Sequence, residues 1–202
     1  MCARSPSVSE QLSFFSADLA VPTVADLAGL LAAHGQVVTV GSAVRVSVVL
    51  DVQWRAGAVA QLVRETGLSA ELGVSEQGAP LVRTPSSPRL TELGRAWTKG
   101  AVKHVPERWV PDGRALRAWA LAAGRCDDAG YLLNLDPHAP DTHERTAAAL
   151  AKAGLASVLL GVRGGGPSLR ISGRRRVLRL AELVGAPPPM VPAEGYWPNR
   201  SR

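Results

Sequence analysis

Leu27-Ala28-Gly29-Leu30-Leu31-Ala32-Ala33-His34-Gly35 is the stretch from which the rest of the chain is read. Thr23 is a good N-cap, the apolar period predicts a helix from about Val24 to His34, and Gly35 stops it. Ala25, Ala28, Gly29 and Ala32 are all small. At this spacing they form one stripe along the helix, against which a second helix can pack closely.

Downstream, Gln36 to Val40 and Ala43 to Leu50 are β-branched runs about the turn Gly41-Ser42, which predicts a hairpin. Val52 to Thr66 returns to helical period and Gly67 ends it. Leu68 to Val74 and Pro80 to Thr84 predict a second hairpin, and Ser87 to Lys99 a further helix. The order is α, β, β, α, β, β, α. It then recurs: helix Gly113 to Ala123 capped by Asp112, a short strand near Cys126, strand Tyr131 to Leu135, helix Thr142 to Ala153, strands Leu155 to Val162 and Ser168 to Ser172, and helix Arg174 to Val184.

Corresponding landmarks keep a near-constant separation: 89 residues from Leu27 to Leu116, 87 from Gly67 to Gly154 and 87 from Arg83 to Arg170. An internal duplication of this period predicts an α+β fold of two tandem αββαββα repeats related by pseudo-twofold symmetry. The expected layout is a lead-in over 1–22, repeats over 23–110 and 111–186, and a Pro-rich tail over 187–202 that cannot be regular helix. Leu12, Phe14 and Phe15 are expected to tuck the lead-in onto the core, and Met190, Tyr196 and Trp197 to lay the tail along the body.

Composition sets the outer bounds. At 46% hydrophobic and 20% charged residues, 202 residues can bury a core. The net charge is +6, and every basic residue except Lys99, Lys103 and Lys152 is arginine, which suits a polyanionic partner. No apolar run reaches about 18 residues, so no membrane helix is expected. Met1 to Gln11 lacks the apolar stretch of a secretory signal, and Cys2 and Cys126 make neither a disulfide framework nor a zinc site. A cytoplasmic monomer is the expectation.

LAGLLAAHG resembles the signature nonapeptide of the LAGLIDADG homing endonucleases, with six of nine letters identical. Its duplicated counterpart, Leu116 to Gly124 (LRAWALAAG), keeps Leu116, Ala122 and Gly124. Lys103-His104-Val105-Pro106 resembles the stretch that often precedes a motif helix in that family. The resemblance covers about Val24 to Pro187 and extends to the N-terminal part of WhiA-type regulators. It implies two halves meeting through their motif helices, with Ala25, Ala28, Gly29, Ala32, Ala118 and Ala122 at the contact. It also implies sheets that form a saddle over the DNA major groove.

The resemblance further implies an acidic residue at the end of each motif helix, holding divalent metal for phosphodiester cleavage. Such hard ions require oxygen ligands. The matching positions here are His34 and Ala123, so no catalytic residue, metal or cofactor is expected. Asp26, Asp51, Asp127 and Asp128 lie nearby, none at a helix end. His34 with His104 or His143 lacks a recognised metal spacing.

Candidate phosphate contacts are Arg45, Arg83, Lys99, Lys103, Arg163, Arg170 and the triplet Arg174, Arg175 and Arg176, which opposes the dipole of the last helix. Arg83 and Arg170 occupy equivalent repeat positions. Gly161 to Gly166 lacks the Gly-Lys-Ser/Thr ending of a phosphate loop and reads as a hairpin turn. Trp54, Trp97, Trp109 and Trp119 read as packing residues. The strands are apolar on both faces, and the first hairpin offers only Gln36, Thr39, Arg45 and Ser47 for reading bases. The reading is therefore a nuclease-inactive binder of double-stranded DNA, regulatory by analogy with WhiA-type proteins although no helix-turn-helix is read here. The alternatives are a module that docks a protein on its sheet face and an endonuclease using displaced acids such as Asp127.

Overall fold

The computed structural model describes residues 16–161 and 166–198. Leu12, Phe14, Phe15 and Arg163 lie outside the described residues.

Each half follows the same path. The first comprises α1 (Ala28–Ala32), β1 (Gln36–Val40), β2 (Ala43–Val49), α2 (Gln53–Glu65), β3 (Glu71–Val74), β4 (Pro80–Arg83) and α3 (Thr91–Trp97). A two-stranded ribbon, β5 (Thr98–Lys99) and β6 (Val102–Lys103), leads out of it. The second half comprises α4 (Gly113–Ala123), β7 (Gly124–Asp127), β8 (Gly130–Asn134), α5 (His143–Lys152), β9 (Val158–Leu160), β10 (Ser168–Ser172) and α6 (Arg174–Val184). Two antiparallel sheets result, in the orders β1-β2-β4-β3 and β7-β8-β10-β9. Glu71 pairs with Arg83 in one and Val158 with Arg170 in the other, so strand register repeats the 87-residue offset. The α+β architecture of two αββαββα repeats stands.

Small residues set the contact between α1 and α4. A Cβ added to Gly29 would run into the Ala115 carbonyl oxygen and lie 2.9 Å from the Ala118 Cβ. Only glycine tolerates so close a backbone approach. Leu27, Leu30, Leu31, Leu116, Trp119 and Leu121 are fully buried around this crossing. Each such Leu contributes about 1.5–3 kcal/mol relative to exposure. Asp112 caps α4 by accepting from Ala115 N at 2.8 Å.

Several boundaries differ from expectation. The first motif helix opens with a 3-10 turn, Val24–Leu27, in which the Asp26 carboxylate accepts from Thr23 N and Oγ1, both at 3.1 Å. The helix expected over 87–99 divides into a 3-10 turn at Pro88–Leu90 and α3. Lys99 leaves it because Gly100, at φ 62°, reverses the chain into the ribbon. The strand expected from Leu155 shrinks to β9, since Leu155 N is bonded to Leu150 O at 3.1 Å and its side chain is buried. The tail lies on the body: Tyr131 Oη donates to Tyr196 O at 2.8 Å, and Trp197 is buried.

Candidate functional site

Alternation gives each sheet one face toward the helices and one away from them. On β2, Val44, Val46 and Val48 are buried, so Arg45, Ser47 and Val49 point outward. Cross-strand register extends that outer face to Gln36 on β1, Arg83 on β4 and Glu71 on β3. The matching row of the second sheet reads Arg125, Leu132, Arg170 and Val158. Arg83 and Arg170 thus hold the same place in the two sheets. Thr39 is paired with buried Val44 and belongs to the helix-facing side. Arg125 was absent from the sequence-based candidates. The Gly124-Arg125-Cys126-Asp127 alternation places it outward once β7 is given its full length.

The two outer faces meet along a seam. Gln36 Nε2 donates to Asp136 Oδ2 at 2.8 Å, joining the start of β1 to the chain just past β8. Lys103 Nζ donates to the same oxygen and to Ala33 O, each at 2.9 Å, and is itself largely buried. Lys103 therefore caps the C-terminal end of α1. Burial pulls its pKa below the ordinary lysine value, with Asp136 opposing. For Asp136, burial pushes upward, but the Lys103 ammonium overrides it and holds the carboxyl below the usual range, helped by His138 N–H and the Gln36 amide.

The end of α4 has an equivalent. Arg55 is 2% exposed; its Nη1 donates to Ala120 O at 3.2 Å and Leu121 O at 2.8 Å, and its Nη2 to Gly124 O at 2.6 Å. Its Nε pairs with Asp51 Oδ1 at 2.8 Å. Cations at helix C-termini satisfy carbonyls that have no partner within the helix.

The residues that would have to hold a divalent metal do not suit one. Ala123 is a buried methyl group. His34 donates from Nε2 to Val49 O at 2.6 Å, and burial lowers its pKa. Of the nearby acids, Asp26 pairs with Arg114 at 2.6 Å, Asp51 with Arg55 and Asp127 with Arg170, the last two at 2.8 Å. Asp128 is exposed at the β7–β8 turn. His143 Nε2 donates to Asp136 O at 2.7 Å, and among the described residues no three His, Cys, Asp or Glu side chains gather as a metal site. A hard cation needs converging oxygens, and here they converge on guanidinium and ammonium groups.

The candidate basic residues are spread over three places. Arg45, Arg83 and Arg170 lie on the outer sheet faces, Arg170 in its pair with Asp127. Lys99 is exposed on the ribbon, and Lys103 is turned into the seam. Arg174, Arg175 and Arg176 open α6, which buries Val177, Leu180 and Val184 on the helical side of its sheet. They line a cleft of about 860 Å³ together with Arg179 and Gly154. Of the tryptophans, Trp97 and Trp119 are buried, Trp97 meets Trp109 edge-on at 4.9 Å, and Trp54 meets Tyr196 at 5.2 Å. Among the described residues, no helix is long and apolar enough to cross a membrane.

No family model matches the sequence, and a search of curated proteins returns no match. Solved structures do match. The homing endonuclease I-WcaI, bound to its DNA recognition sequence, superposes with a TM-score of 0.59 at 12% identity, covering 84% of either chain. The N-terminal LAGLIDADG domain of DUF199/WhiA gives 0.52 at 15% identity over 81% of this chain and 82% of that one. Full-length DUF199/WhiA from Thermatoga maritima gives 0.56 at 15% identity, covering 82% of this chain and 56% of that longer protein. With two sheets of identical strand order joined through a Gly29–Ala118 helix contact, this chain has the LAGLIDADG fold.

Proposed function

We propose that the protein binds double-stranded DNA across the outer faces of its two sheets and does not cleave it. The observation that carries this is the placement of Arg83 and Arg170 at one register position in sheets of one order, outward, on a scaffold that I-WcaI uses while bound to DNA. The 23–110 and 111–186 repeats of a cytoplasmic monomer would each supply one sheet. Arg45, Arg83, Arg125 and Lys99 are the principal phosphate contacts, with Arg170 weakened by Asp127. Arg174 to Arg176 reach DNA only where it bends around the edge of the second sheet, because α6 lies on the helical side. His34 and Ala123 at the helix ends, and the arginines on three of the four nearby acids, support the non-cleaving part of this reading.

Fluorescence anisotropy with a labelled duplex tests this reading. Binding at about 50 mM salt should weaken steeply by 200 mM, as expected for several phosphate contacts. No binding at low salt rejects it. Defined cuts in genomic DNA with Mg²⁺ or Mn²⁺ would instead establish an endonuclease using displaced acids.

A second reading has its own support. Val40, Val49 and Val158, between 40% and 59% exposed, also lie on the outer faces and suit a protein partner. Association that survives high salt would favour it.

A further inference from the structure

We infer that the arginine cleft at the start of α6 holds the phosphate backbone of a second DNA duplex, separate from the one on the sheet faces, so that one chain joins two segments of DNA. This goes beyond the reading above, which concerns a single duplex. Arg174, Arg175, Arg176 and Arg179 line an open cleft of about 860 Å³, with Glu182 as its one acid. All four arginines are exposed, and among the described residues none pairs with a carboxylate. Like charges so close repel one another, and a bound anion relieves that repulsion. The first three also oppose the dipole of a helix whose N-cap, Gly173, has no side chain and whose first turn has no acid. The first half closes the corresponding corner. There Ser87 Oγ accepts from Arg89 N at 3.3 Å, the Arg89 guanidinium donates to Thr66 O and Gly67 O at 3.0 and 2.9 Å, and Glu92 sits in the first turn of α3. Gly154 matches Gly67, and Arg179 Nε lies 3.0 Å from where a Gly154 Cβ would be, but it donates to no carbonyl among the described residues.

The lining of the cleft selects its ligand. Among the described residues that line it there is no aromatic ring on which a base could stack. What it offers is forked positive charge, which suits successive phosphates whatever the base sequence. α6 buries Val177, Leu180 and Val184 on the helical side of its sheet, away from the outer face that carries Arg170. A straight duplex on the outer faces therefore does not pass through the cleft. Arg174 also borders a smaller hollow containing Asp127 and Asp128, which leaves Arg175, Arg176 and Arg179 as the main contacts.

Two duplexes of about 12 base pairs, one carrying a donor dye and the other an acceptor, test this. They are far shorter than the persistence length of about 150 base pairs and cannot wrap the protein. At about 50 mM salt the unmodified protein should bring them together by energy transfer and bind two per chain in analytical ultracentrifugation. Arg174→Gln, Arg175→Gln and Arg179→Gln together remove three cations that make no hydrogen bond or ion pair with the described residues, so the fold is kept. This cleft variant should lose the energy transfer and bind one duplex, the second step weakening by about tenfold or more. Arg45→Gln, Arg83→Gln and Arg125→Gln together should also leave one duplex, held in the cleft. Two duplexes retained by the cleft variant, or a single duplex that it still binds as tightly as the unmodified protein, overturns the inference. So does a single duplex weakened by both variants, which means one bent DNA touching both places. A single duplex lost from the cleft variant alone keeps the cleft site and rejects the sheet-face reading, so the two fail separately.

Discussion

The two motif helices make the same contact with different means. The first keeps the signature letters, yet α1 is five residues long and opens with a 3-10 turn. The second has lost most of the letters, yet α4 runs unbroken for eleven residues, ten of them buried. What the crossing demands is one glycine where the backbones meet, and Gly29 supplies it for both. A single glycine suffices, so the partner position can be Ala118, and the letters around it are free to drift so long as they are small or apolar.

The sharpest way to break this comparison is to give Gly29 a side chain. Gly29→Val drives a branched side chain into the Ala115 backbone and should destabilise the fold by about 3 kcal/mol or more in denaturant unfolding. The reciprocal change, Ala118→Gly, should cost only about 1 kcal/mol, the usual helix penalty. Equal effects would mean that the two helices share the contact evenly.

The helix ends give the next largest effect. Arg55→Met leaves three carbonyls and Asp51 without their cation, and Lys103→Met leaves Asp136 buried without its own. Lys103→Met should cost about 3 kcal/mol by the same measurement, as breaking one side of a buried pair does, and Arg55→Met about 1–3 kcal/mol for its unsatisfied carbonyls, because Asp51 is exposed to solvent. Below these come the sheet faces. Arg83→Ala should lower the salt slope of DNA binding by about one, whereas Arg170→Ala should lower it by less because Asp127 already holds that charge. Asp127→Asn should raise affinity.

The smallest effect is on pH. His34 is shifted below its ordinary value of 6.5, chiefly by burial. The unfolded chain therefore takes up a proton that the folded one resists, so this group's share of stability is full above pH 6.5 and is lost as pH falls through that range. Unfolding at pH 7 and pH 5 should show the loss, and His34→Gln should reduce it. Ala123, with nothing to titrate, gives its helix end no such dependence.

The features legible in the sequence were those fixed locally. Gly67 and Gly154, with φ of 76° and 80°, end helices in a conformation other residues avoid, and Gly41 at φ 60° sets the first hairpin. Fold and repeat order follow from such punctuation. The seam was not legible. Lys103 reads as an open phosphate contact until Asp136, 33 residues on, is folded over it, and Arg55 meets carbonyls 65 to 69 residues away. Arg125 was hidden because β7 is only four residues long, too few to show alternation. The Arg174 triplet has a clear helical phase, but no local pattern tells which side of a sheet that helix will cover.

One further property follows from Arg114, which sits on α4 and holds Asp26, ahead of α1, at 2.6 Å and Glu65, at the end of α2, at 2.8 Å. Neither acid has a mirror-image mate in this arrangement, just as Lys103 and Arg55 reach their helix ends from unrelated elements. By the offset that relates Leu27 to Leu116, Asp26 corresponds to Ala115 and Arg114 to Ala25, so a half paired with a copy of itself would leave these buried charges without a counter-ion. The halves have become lock and key, and neither can serve as its own partner.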